Sequence, residues 1–457
     1  MQLFPLRRLL AATITALRVP GRLSRLERAA SLATLLVPVF MVHGRVIGEA
    51  LMIAVAVALL LRSAALGEFA WLRRPWMVIG LLWWGWLVLC SLPRPDFGGG
   101  GLGGIEHGGI GASVQALLVI RFLLFVAALE TFALRESWAR RALSGILSLA
   151  ALYIAVQSVW QFATGTNFFG EPRGGDGELT GPYDKPRAGG QFSLLLYPVL
   201  LPPVAALLGR AGYLARLAGA ALGLLGIAVM VLIGQRMPLI LALFGLVMSG
   251  LLLPRLRFWV VIALMAAVTL IGASRVVSPP TYYRLVTKFS DQMEHFPESP
   301  YGVIYARARA MIAENPLTGL GFDGFRHYCG EARYFHGWRW PADPADDGGG
   351  LGGCQMHPHN LYLEAATNAG LPGLALFTGL ALAWLGSLGR GLWRAPEPRR
   401  AGLFVAVLVY FWPIASTSSF TAMPLSGFFF VLLGFGLALA REARKNPGEM
   451  SPGLSNV

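Results

Sequence analysis

Apolar runs close to the roughly 20 residues a helix needs to cross a bilayer recur along almost the whole chain. Twelve can be marked: 29–43, 45–62, 75–92, 112–134, 142–163, 190–209, 217–234, 237–253, 258–273, 361–388, 401–418 and 424–440. A hydrocarbon core offers no water to backbone N–H and C=O groups, so a series of such runs points to a bundle of helices that close their own hydrogen bonds. Only 14% of the 457 residues are charged while 55% are hydrophobic, against about 25% charged in a soluble domain. An ordinary soluble domain, a coiled coil, a disordered chain and a small disulfide scaffold are thereby excluded. The net charge of +14 does not indicate nucleic acid, because the basic residues are scattered between the apolar runs.

Their distribution orients the chain. Placing the N-terminus inside puts 23 Lys and Arg in the inner segments and 6 in the short outer loops, the asymmetry of the positive-inside rule. Eight more lie in the one long outer segment, about 274–358, and long loops count little. The expected fold is an all-α integral membrane protein of about 12 transmembrane helices, with both termini inside and one long helical segment outside, between spans nine and ten. The expected layout is an amphipathic N-terminal tail over 1–28, spans one to nine over 29–273, an outer segment over 274–358, spans ten to twelve over 359–440 and an inner tail over 441–457. The tail at 1–28 is interrupted by Arg7, Arg8, Arg18, Arg22, Arg25 and Arg28, so it does not read as a signal peptide.

Acidic residues concentrate outside, and so do the polar groups that chemistry requires. The Gly-rich stretch 93–111 has no strand before it and no Lys after it, so it reads as a flexible loop rather than a phosphate-binding one. The stretch 181–187 (Gly-Pro-Tyr-Asp-Lys-Pro-Arg) reads as an ordered turn ending at Arg187. Arg236 sits in a very short turn between spans seven and eight, placed to meet a lipid phosphate. In the long segment, a helix over 301–314 with Arg307 and Arg309 is stopped by Asn315-Pro316, and aromatics and cations follow together from Phe322 to Trp340. His357 and His359 end the segment. On its own His359 is compatible with a structural residue at the interface or with a functional one, and a metal site lacks the further ligands it needs. Cys329 and Cys354 share the outer segment and can pair if that side is oxidising. Arg121 lies mid-span with Glu130 nine residues on, so it should face the bundle interior and a structural partner.

His359-Asn360 followed after nine residues by Gly370-Leu371-Pro372-Gly373 resembles the His-Asn-x9-Gly-x-x-Gly signature of bacterial O-antigen ligases, whose superfamily also holds O-antigen polymerases and O-oligosaccharyltransferases. Asn315-Pro316-Leu317-Thr318-Gly319-Leu320-Gly321 is similar to the family's Asn-Pro-Leu-x-Gly-x-Gly element. The resemblance implies an inverting, metal-independent glycosyltransferase without a cofactor. It would move a polysaccharide from undecaprenyl pyrophosphate to a sugar hydroxyl of lipid A–core at the periplasmic face of the inner membrane. Carried onto matching positions, His359 would be the catalytic base, with Arg236, Arg187 and one of Arg307 and Arg309 binding the pyrophosphate. Members of the family often carry an arginine at the start of the helix ahead of Asn-Pro; here that slot holds Tyr301, with Arg307 and Arg309 further along.

The chemistry suits these residue types. A sugar hydroxyl is a poor nucleophile at neutral pH, and imidazole is the side chain that takes a proton there. Guanidinium groups can stabilise the charge that develops on a leaving pyrophosphate. Two other readings accompany this one. A polymerase or protein O-oligosaccharyltransferase would use the same machinery with another acceptor. A lipid flippase or transporter would use Arg121 and Glu130 as a relay, but the internal repeat expected of such folds is missing from the sequence.

Overall fold

The structure is a computed structural model that describes residues 21–93, 110–338, 346–415 and 418–445. Nearly all of the N-terminal tail, most of the Gly-rich stretch, Trp340 and the end of the C-terminal tail therefore lie outside the described residues. The described elements are helical: α1 (Arg22–His43), α2 (Arg45–Leu66), α3 (Pro75–Cys90), α4 (Ile110–Ala133), α5 (Ser137–Thr164), α6 (Ala188–Leu208), α7 (Tyr213–Ile233), α8 (Arg236–Leu252), α9 (Arg257–Val277), α10 (Pro300–Glu314), α11 (Leu361–Gly389), α12 (Pro398–Tyr410) and α13 (Leu425–Lys445). All but α10 occupy the twelve expected apolar runs.

Nine of those twelve are long and apolar enough to cross a membrane: α1, α2, α4, α5, α6, α7, α9, α11 and α13. The helices α3 and α8 are apolar but shorter. The run 401–418 departs most from expectation, because α12 ends at Tyr410 and a turn through Pro413 follows. Sequence hydropathy reads through such a turn, since its residues are as apolar as the helix. Burial explains why α12 is apolar without being long. It packs among α6, α8 and α13, and Gly402 lies so close to α6 that a Cβ there would come within 2.5 Å of the Tyr197 carbonyl oxygen. The first helix also begins earlier than expected, at Arg22, so the described part of the tail continues directly into α1.

The buried charges are partnered otherwise than as a relay. Arg121 pairs with Glu49 on α2 at 2.6 Å. Glu130, buried in a π-helical turn at the end of α4, accepts a hydrogen bond from Trp76 Nε1 at 3.0 Å and faces Arg74 Nε at 3.5 Å. Both are structural ties between helices, and neither touches the other.

Contacts between loops show which segments share an end of the bundle. The Leu179 N–H donates to the carbonyl of Ile233, Phe322 N–H to Ser91 Oγ, and Asn360 Nδ2 to the carbonyl of Pro413. The turn after α3, the loop 165–187, the α7–α8 turn, the segment 278–360 and the α12–α13 connection thus gather at one end. The opposite end is tied by Arg62–Glu27, Arg140–Glu442 and Arg74–Glu130.

Candidate active site

The two motif stretches dock on each other. Pro372 removes a backbone donor within α11, and the helix breaks just before it, with Ala369 at φ −140° and Gly370 at φ 67°, ψ −169°. Into this break fits the turn that follows α10. The Leu371 N–H donates to the Pro316 carbonyl at 2.7 Å, and Leu320 and Gly321 N–H donate to the carbonyls of Thr367 and Asn368 at 2.8 and 2.9 Å. Trp86 Nε1 takes the carbonyl of Ala369, freed by the break, at 2.9 Å. A Cβ at Gly370 would lie 2.4 Å from the Leu317 oxygen, and one at Gly319 (φ 57°) would lie 2.6 Å from the Ala369 nitrogen. Both positions therefore require glycine twice over, for left-handed backbone and for close approach. Gly373 follows the break and packs against Trp86, and Asn315 ties the end of α10 through Nδ2 to the Met311 carbonyl and Tyr334 Oη.

This docking fixes the start of α11. Asn360 is its N-cap: Oδ1 accepts from the N–H groups of Tyr362 and Leu363 at 3.0 and 3.1 Å, while Nδ2 holds Pro413. Immediately before it His359 takes φ 52°, and among the described residues only Asp323 shares a positive φ without being glycine. Left-handed backbone at a non-glycine residue is sparsely populated and collects at functional sites. The half-buried imidazole lies edge-on to Tyr301 at 5.7 Å and near His357 at 4.3 Å. Tyr301 and Tyr305 stand one turn apart on α10. Burial holds the Tyr305 hydroxyl above its usual range, and it bonds to the Asn360 side chain. Tyr301 thus becomes the aromatic wall of His359.

The two arginines stand at neighbouring helix N-termini. Arg187 is the N-cap residue of α6 and Arg236 the first residue of α8. Gly189 brings these ends together, since a Cβ there would meet Gln235 Oε1 at 2.4 Å. Helix N-termini present unpaired N–H groups and a partial positive charge, which suits an anion. The guanidinium of Arg187 is 3.8 Å from the exposed Asp184 carboxylate, and that of Arg236 donates to the neutral Gln292 side chain. Arg236 is therefore seated on a neutral amide and forms no ion pair among the described residues. Beside the arginines lie two buried amides whose Nε2 atoms have no partner among the described residues, Gln191 and Gln235. Gln191 accepts through Oε1 from Tyr183 Oη. Burial pushes the Tyr183 hydroxyl up, so it remains a donor. A hollow of about 480 Å³ lies beside Arg187, lined by Arg45, Lys185 and Arg187 and by the carboxylates of Glu171 and Asp184, with Tyr183 at its wall. Arg284 ties the α7–α8 turn to the loop before α6: Nε donates to the Gly234 carbonyl at 3.1 Å and the guanidinium pairs with Asp176 and Glu178.

The arginines of α10 serve another purpose. Arg307 is completely buried, donating to the carbonyls of Cys329 and Gly350 and lying 4.1 Å from the Phe335 ring centroid. Burial holds the Arg307 guanidinium on these two carbonyls, with Nε left without a hydrogen-bond partner among the described residues. Arg309 donates to the Trp338 carbonyl at 3.1 Å and packs on its ring. Cys329 and Cys354 are joined, with Cα atoms 5.4 Å apart, directly over Arg307. Together these contacts fold the aromatic stretch after Phe322 against α10.

Sequence reasoning missed Gln191, Gln235, Arg284 and Glu364. Glu364, one turn into α11, accepts from the Phe420 N–H at 3.0 Å and from Ser419, anchoring the α12–α13 connection beside the site. The only signal for Gln235 was its place beside Arg236 in the short turn. Among the described residues no three His, Cys, Asp or Glu side chains converge as a metal site requires.

No curated protein matched the chain in a search. A family model did match: the one described as O-antigen ligase covers residues 221–378, from α7 through the break in α11. It takes in Arg236, α10, both motif stretches, the Cys329–Cys354 bridge and His359, and leaves Arg187 and the whole of α6 outside. Residues 221–378 of this chain of apolar, membrane-length helices thus match the O-antigen ligase family.

Proposed function

We propose that the chain is an inverting glycosyltransferase of the ligase type, which moves O-antigen polysaccharide from undecaprenyl pyrophosphate to a sugar hydroxyl of lipid A–core. It works in the bacterial inner membrane with both termini in the cytoplasm and its site facing the periplasm. The observation that carries this reading is the gathering, at one end of the bundle, of a strained His359 and two helix N-termini headed by Arg187 and Arg236. His359 accepts the proton of the acceptor hydroxyl. The hydroxyl oxygen bonds to the anomeric carbon as that carbon's bond to the pyrophosphate oxygen breaks, and the electron pair leaves with the pyrophosphate. Arg187 and Arg236 stabilise the charge that develops, with Gln191 and Gln235 as buried amide donors and without a metal. Arg309 is kept as a peripheral contact to the donor. The polyprenyl tail lies between helices, so the donor enters from the membrane.

The same site serves a polymerase or a protein O-oligosaccharyltransferase if the acceptor differs. Deleting the gene and resolving lipopolysaccharide on gels separates these. Ligation predicts an intact core without long chains, with lipid-linked polymer accumulating. A core carrying one repeat unit would assign polymerisation, and an unchanged lipopolysaccharide with loss of glycoprotein would assign protein transfer.

A further inference from the structure

A large cavity lies at the opposite end of the bundle. It is an open bay of about 1430 Å³ between the α2–α3 connection, the end of α4, the start of α5 and the end of α13. Six arginines line it, Arg62, Arg73, Arg74, Arg135, Arg140 and Arg441, against three carboxylates, Glu68, Glu130 and Glu442. The lining thus carries three positive charges in excess. None of it falls within residues 221–378, so the bay is independent of the transferase domain.

Four of the arginines are held in place by the protein. Arg62 is fixed between Glu27 at 2.6 Å and Glu68 at 2.9 Å, and Arg140 on Glu442. Arg74 faces Glu130 at 3.5 Å, and Arg441 Nη1 donates to the carbonyls of Glu130 and Thr131, both at 3.1 Å. A guanidinium has five N–H donors, so each of these contacts orients the group and leaves donors over. Arg73 and Arg135 differ: both are exposed, and neither has a partner among the described residues. The excess charge of the bay therefore resides on three arginines: Arg441, oriented by backbone carbonyls, and the unpaired Arg73 and Arg135. Phe69, 46% exposed, and Trp71 stand on the same wall, as aromatic side chains do at the level of lipid headgroups.

We propose that this bay binds a phosphate-bearing anion, held by Arg73 and Arg135 and ordered by the paired arginines around them. Guanidinium recognises phosphate with two parallel hydrogen bonds, and several fixed forks in one concavity suit a group with three or more acceptor oxygens. The phosphate can belong to a lipid headgroup or to a soluble compound. Native mass spectrometry of the full chain, released from micelles doped with phosphatidylglycerol or with phosphatidylcholine, tests the first source. Calorimetric titration with inorganic phosphate in undoped micelles tests the second. The expected result is retention of phosphatidylglycerol over phosphatidylcholine, or saturable phosphate binding. Either should weaken roughly fivefold for each arginine removed in Arg73→Gln and Arg135→Gln, about the effect of one basic residue at an anionic surface. The double Arg→Lys variant keeps the charge and should recover only part of the binding. The melting temperature without ligand should be the same in all variants, because neither side chain is paired. Equal retention of both lipids with no phosphate binding, or binding unchanged in the double Arg→Gln variant, overturns the proposal.

Discussion

The two ends of the bundle both collect arginines but treat them differently. At the bay end, Arg62, Arg74 and Arg140 are paired with carboxylates that come from other helices or turns. At the other end Arg187 and Arg236 head neighbouring helices, and the nearest groups are an exposed aspartate and a neutral amide. A cation matched by a carboxylate from another element is part of the scaffold. A cation left on helix N-termini above unpartnered amides is arranged for an anion that arrives later. Within one end the same distinction separates Arg307, consumed by carbonyls, from Arg236, although the two look alike in the sequence.

Substitutions sharpen this contrast. The largest effect belongs to His359→Ala, which should lower the transfer rate about 10²- to 10⁴-fold in purified protein, the range for a lost general base. The protein should still insert and melt as the parent does. A rate near that of the parent would remove His359 from the mechanism. Arg236→Ala and Arg187→Ala should each cost roughly 10²- to 10³-fold. Lysine at either position should rescue poorly, because an ammonium cannot make a two-pronged contact. Full activity in either alanine variant would move the clamp elsewhere.

A smaller effect, roughly tenfold in rate, is expected for Gln235→Leu, which removes one buried donor to a charged group. Its stability should hold or rise, because the lost Nε2 has no partner to leave behind. A fall in stability with an unchanged rate would make Gln235 structural. At the bay end the pattern reverses. Arg62→Ala leaves Glu27 and Glu68 without their cation and should cost stability, about 1 kcal/mol because both carboxylates keep access to water, with the transfer rate unchanged. A variant that transfers slowly while melting normally would erase the distinction between the two ends.

Much of this architecture was legible in the sequence because bilayer thickness sets a length that apolar runs either meet or miss. The split between α1 and α2 at Gly44 was readable from three residues, while the early end of α12 was not, since Phe411 and Trp412 are as apolar as the helix they follow. The motifs were visible as spacing. Their meaning, that Gly319 and Gly370 are needed where two stretches far apart in sequence press backbone to backbone, is a tertiary fact. Partner choice was likewise hidden: Arg121 and Glu130 share a helix, yet each pairs with a different one. Tyr301 marked a departure from a pattern, and only the fold shows that it stacks edge-on against His359.

The most direct test of the central claim is the configuration of the bond that is made. Purified chain should be given a polyprenyl-pyrophosphate-linked glycan and its hydroxyl acceptor, and the new glycosidic linkage read by nuclear magnetic resonance. Direct displacement by a hydroxyl activated at His359, with pyrophosphate leaving toward Arg187 and Arg236, predicts an anomeric configuration opposite to that of the donor. Retention of the donor's configuration would contradict it, because two displacements through a glycosyl–protein intermediate would then be required.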